Sequence, residues 1–82
     1  MTAADREDFN DTTAGLLSLS AGDALPWHVA GQMPMRPGAA KAVRDCTQLG
    51  LCSQQRRLVD GLIVFVAVRT AKPALPAMRI AA

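Results

Sequence analysis

The side chains able to do chemistry are few: Cys46, Cys52 and the single histidine, His28, with Asp45 and Asp60 as the nearest acids that could complete a site. A zinc site needs three or four such ligands to converge, and paired cysteines in small zinc motifs usually stand two to four residues apart. The six-residue spacing of Cys46 and Cys52 is not of that kind. Cys46 is expected to pack as a small hydrophobe on the apolar face of a helix, and no metal or cofactor is expected.

Nucleophilic catalysis would require a thiolate, which forms near neutral pH only beside a base, a cation or a helix N-terminus. Cys52 precedes a predicted helix start and stands close to Arg56 and Arg57, so a small cysteine-dependent enzyme is one reading. Its only available base is His28, and nothing in the sequence brings the two together. Other catalytic signatures are missing: there is no glycine-rich phosphate loop followed by Lys and Ser or Thr, and no dinucleotide fingerprint. The expectation is therefore a protein that is not an enzyme.

Charge supplies the other clue. Residues 1–35 carry Asp5, Glu7, Asp8, Asp11 and Asp23 against Arg6, whereas residues 36–82 carry eight bases against Asp45 and Asp60. The halves are thus −4 and +6, matching the net +2 of the whole chain. Such a division suggests a basic surface seeking phosphate, an acidic partner or the chain's own acidic segment.

The elements that must position these groups follow from periodicity. Thr2 and Asp5 have the spacing of a helix start, but the residues after them are polar, so residues 1–13 read as a frayed turn or acidic flexible arm. Leu17 to Ser20 alternate as a short strand would, and Ala21 to Gly38 is so rich in Gly and Pro that it reads as loop. Ala39, Ala42, Val43, Cys46 and Leu49 recur at helical spacing, which predicts a helix over about 38–49, ended by Gly50.

Ser53 is a suitable cap for a second helix over about 53–60. Leu62 to Val68 is unbroken and β-branched, which favours a central strand over one long helix from Ser53 to Arg69. At seven residues it is far short of the roughly 20 needed to span a bilayer. Leu16 to Ser20, Leu25 to Val29 and Met78 to Ile80 are the candidate neighbours. All are short, so a strand from another chain could complete the sheet.

The resulting expectation is a small α+β fold, with two short helices packed on a small sheet around strand 62–68, and all-α as the alternative. Residues 14–72 form the compact domain, and residues 73–82 an extended proline-containing tail. The core is expected to rest on Leu16, Leu17, Leu19, Trp27, Val43, Leu49, Leu58, Leu62, Val64, Phe65 and Val66.

Function is expected to be binding or regulation by docking to another protein, or by self-association. Trp27, Met33 and Met35 would be the apolar contacts, and Arg56 and Arg57 the electrostatic ones. The alternative is a nucleic-acid-binding regulator whose basic helix presents Arg44, Gln54, Gln55, Arg56 and Arg57 in the outline of a helix-turn-helix. An acidic N-terminus without a positive segment and apolar run carries no secretory signal, which makes the cytoplasm the expected location.

Overall fold

A computed structural model describes residues 2–31 and 34–74. Its elements run in the order α1 (Ala3–Leu17), β1 (Ala24–Val29), α2 (Pro37–Gln48), β2 (Cys52–Val59) and β3 (Leu62–Arg69). The fold is α+β, with two helices and one antiparallel sheet in the spatial order β1-β3-β2. β3 is central, as its continuous β-branched run predicts. β1 and β2 both pair antiparallel to it, so they run in the same direction and are joined by the crossover through α2.

Two expected elements change type. Residues 53–60 do not form a helix: they belong to strand β2, which pairs residue for residue with β3 from Cys52↔Arg69 to Val59↔Leu62. The turn between them is Asp60-Gly61, with φ of 50° and 78°. Two consecutive positive φ values define the tight turn whose twist matches a β-hairpin, and Asp-Gly is among its preferred sequences. Gln54 to Leu58 are acceptable helix formers, but a buried strand needs a hydrogen-bonding neighbour, and the hairpin supplies one locally.

Residues 1–13 were expected to fray, yet Ala3–Leu17 is one helix. Its start is a complete capping box: Thr2 Oγ1 accepts from the Asp5 N–H, and Asp5 accepts from the Thr2 N–H. The helix has no apolar stripe of its own and is held by α2. Leu17 to Ser20 are the end of this helix and a turn, not a strand. The stretch read as loop contains β1, because Pro26 lies on an outer strand, where its missing N–H is tolerated.

The predicted helix 38–49 is α2. Its first turn lies so close to α1 that a Cβ placed on Gly38 would fall 1.9 Å from the Asp5 carbonyl oxygen. Glycine alone allows that approach. From there the helix directs Ala39, Ala42, Val43 and Cys46 inward.

The core joins Leu16, Val43, Cys46, Leu51, Cys52 and Ala67, with Leu25 and Trp27 packed against it. It relies on small residues more than expected. Leu49, Leu58 and Leu62, all named as core candidates, are exposed. Met33 and the possible edge strand at Met78 to Ile80 lie outside the described residues.

Candidate functional site

Opposed residues of an antiparallel pair point to the same face of the sheet. The helix-bearing face therefore carries Arg69, Ala67, Phe65 and Ile63 of β3 together with Cys52, Gln54, Arg56 and Leu58 of β2. The core occupies only one end of that face, around Cys52 and Ala67. Beyond it the β2–β3 hairpin continues without cover from the described residues. At its tip Leu58 is 76 % exposed, Val59 48 %, Ile63 47 % and Leu62 37 %.

Between the core and the tip, Phe65 is flanked by side chains from both neighbouring strands. His28 meets it edge-on at 5.3 Å between centroids and Trp27 at 5.8 Å, while the Arg56 guanidinium carbon lies 5.2 Å from its centroid. The contact places a cation on the negative face of the ring. Trp27, Gln54, Gln55, Arg56 and Phe65 line a cleft of about 430 Å³. Trp27 reaches this position through a bulge between Pro26 and His28. On its other side a second cleft, of about 310 Å³, runs between α1 and β1 and includes Asp11, Leu25 and Arg36.

The basic residues divide into two groups. Arg36, Lys41, Arg69 and Lys72 are engaged by the fold itself. Arg36 donates two hydrogen bonds to the Asp8 carboxylate and holds that carboxyl below its usual range. Lys41 Nζ bonds Asp45 at 2.6 Å and lies 5.2 Å from the Phe9 ring centroid. Arg69, only 8 % exposed, donates from one nitrogen to the carbonyls of Leu51 (3.0 Å), Thr70 (3.0 Å) and Lys72 (2.8 Å).

The chain just after β3 closes the turn between α2 and β2. Lys72 Nζ reaches the Leu49 carbonyl at 2.7 Å and Thr70 Oγ1 the Gly50 carbonyl at 2.7 Å. The Lys72 ammonium satisfies a carbonyl at the helix end and interacts favourably with its dipole. The remaining described bases are Arg6, Arg44, Arg56 and Arg57, all exposed. By register Arg56 and Arg57 point to opposite faces of the sheet, so they do not form one patch. With β2 a strand, the helix-turn-helix outline is not formed.

The two thiols sit at the core end. Cys52 Sγ lies 3.4 Å from Thr47 Oγ1 and 3.8 Å from the Val43 carbonyl, and it starts a strand where a helix start was expected. Burial pushes the Cys46 thiol up to about 11. His28 is opposite Phe65 and Cys52 opposite Arg69, four residues further along β3. At about 3.3 Å per residue, and with a strand between them, their backbones are roughly 16 Å apart. They do not form a catalytic pair.

Among the described residues, no three of His, Cys, Asp and Glu are grouped to hold a metal ion, and no helix is long and apolar enough to cross a membrane.

Of the residues expected to meet a partner, Arg56 and Arg57 lie on the hairpin, Trp27 borders the cleft beside Phe65, and Met35 is exposed before α2. Met33 is outside the described residues. Sequence reasoning missed Val59 and Ile63 as surface groups and placed Leu58 and Leu62 inside. Asp60-Gly61 between two β-compatible runs was the available signal, since a hairpin longer than its covering helices exposes its tip. Comparison with family models, curated proteins and solved structures finds no match for this chain.

Proposed function

We propose that this chain is a small binding or regulatory protein that acts by docking onto another protein chain and makes or breaks no bonds itself. The observation that carries the reading is the uncovered hairpin tip, where Leu58, Val59, Leu62 and Ile63 lie together in solvent. Single exposed apolar residues need no explanation, but Leu58 beside Ile63 on one face and Val59 beside Leu62 on the other leave both faces of one projection apolar, which marks it as a contact site.

The surroundings support this reading. Arg56 and Arg57 flank the tip on its two faces, and Trp27 and Phe65 line the adjoining cleft. Aromatic and arginine side chains are enriched where binding energy concentrates. Met35, exposed before α2, adds an adaptable apolar group.

A photo-crosslinking amino acid placed at Leu58 in the native host tests the surface, with the same group at exposed Glu7 on α1 as control. Protein adducts are expected from position 58 and not from position 7. Equal yields from positions 58 and 7, or none from 58, would refute the docking surface.

A further inference from the structure

Resting on the docking reading, we propose that the partner is a second copy of this chain, joined through β2 to β2 in antiparallel pairing about a two-fold axis at Gln55, so that two sheets become one of six strands.

The hydrogen-bond ladder specifies that register. Ala30 N–H donates to Ile63 O (2.9 Å), Arg69 N–H to Asp23 O (2.8 Å) and Gly22 N–H to Arg69 O (2.8 Å). The odd-numbered residues of β3 thus turn their backbone groups toward β1, and the even-numbered ones toward β2. Their β2 partners are Ser53, Gln55, Arg57 and Val59. Cys52, Gln54, Arg56 and Leu58 therefore turn their N–H and C=O groups outward, and among the described residues no strand pairs with them.

Two such edges related by a two-fold can bond only within that set of four. An axis at Gln55 pairs Gln54 with Arg56 of the second copy and Cys52 with Leu58 of the second copy, which uses every outward group. An axis at Arg56 strands Cys52 and sets Arg56 against its own copy, and like charges directly opposed are destabilising. An axis at Gln54 strands Leu58. Hydrogen bonding and charge therefore select the same register, in which Arg56 meets Gln54 and Arg57 meets Ser53.

Shape agrees with this pairing. The two-fold is perpendicular to the sheet, so both helix layers lie on one face, at opposite ends, about 20 Å apart along six residues of strand. Leu58, the most exposed large apolar side chain, then stands opposite Cys52 of the other copy. There it lies beside Thr47 at the end of α2, which is within 3.4 Å of Cys52 Sγ.

Apart from Arg57, the edge also lacks the devices that natural sheets use to stay single. β2 is eight residues long, pairs with β3 without interruption and contains no proline. Its Arg56 is folded over Phe65 on its own sheet. A net charge of only +2 opposes association weakly.

Sedimentation equilibrium over a concentration series should give twice the 8.7 kDa chain mass. Gln54→Pro removes an outward N–H and no bond to β3, and should shift the protein to monomer with an unchanged circular dichroism spectrum. Gln55→Lys is a second route that leaves the backbone intact, and should weaken the dimer at least tenfold by facing like charges across the axis.

Register is read by oxidation. Gln55→Cys should give a disulfide-linked dimer, because residues directly opposed across a non-bonded pair have the required Cα spacing, whereas Arg57→Cys should not. A monomer at all concentrations overturns the proposal, as does crosslinking at 57 in preference to 55. If the protein is monomeric while a crosslinker at Leu58 still captures a different protein, the second copy is rejected and the docking surface stands. If it is monomeric and captures nothing, both are rejected.

Discussion

Two glycine-to-alanine substitutions should move stability in opposite directions, and the contrast tests how the helices meet. At Gly38 the added Cβ would lie 1.9 Å from Asp5 O, 2.9 Å from Asp5 C and 2.9 Å from Phe9 N. All three are backbone atoms, so no side-chain rotation relieves the overlap. Reaching even 3.0 Å requires α1 to withdraw by about 1 Å, and overpacking of this kind costs roughly 1–3 kcal/mol. Alanine's better helix propensity, worth up to about 1 kcal/mol, offsets part of this. The net loss should be about 1–2 kcal/mol.

At Gly15 the new Cβ would meet only Leu25 Cδ2 at 3.8 Å, an ordinary contact within α1. The propensity gain is then unopposed and stability should rise by about 0.5–1 kcal/mol. For a domain of this size each kcal/mol is worth roughly 4–8 °C in Tm. Thermal unfolding followed by circular dichroism should therefore show Gly38→Ala melting about 5–15 °C below the parent and Gly15→Ala a few degrees above it. A Gly38→Ala protein as stable as the parent would refute the close approach of α1 and α2.

Further outcomes follow from the buried polar groups. Cys46 and Cys52 are both buried, so a thiol reagent at neutral pH should label the folded protein slowly and the urea-unfolded protein at once; a fast-labelling thiol in the native state would revive the reading of Cys52 as a nucleophile. Because the Cys46 thiol is raised above its ordinary 9.0 to about 11, its contribution to stability is complete below pH 9 and should be lost as pH rises from 9 to 11. Melting temperatures across that range should fall in the parent and flatten in Cys46→Ala. Arg69→Met removes three bonds to carbonyls, leaving those of Thr70 and Lys72 without that donor, and should cost about 1–3 kcal/mol by urea unfolding.

Local pattern alone was enough for several elements. A helix beginning near Pro37 follows from Ala39, Ala42, Val43 and Cys46 at helical spacing, and the central strand from the β-branched run at Leu62 to Val68. Both signals are intrinsic, because side-chain periodicity and branching act on the residues that carry them. The cap formed by Thr2 and Asp5 was also visible, although α1 as a whole was not: it lacks an apolar stripe, and its packing depends on Gly38, more than 20 residues away.

Tertiary structure decided the rest. Gln54 to Leu58 accept either helix or strand, and pairing with Leu62 to Val68 selected the strand; that choice placed Arg56 and Arg57 on opposite faces and carried Leu58 into solvent. The charge division was plain in composition, but only the fold assigned Arg36 to Asp8, set Lys72 against the end of α2 and turned Arg69 onto the carbonyls of Leu51, Thr70 and Lys72. Exposure belongs to the relative lengths of hairpin and helices and to no residue by itself, so the apolar tip could be recognised only once the sheet was seen to outrun its cover.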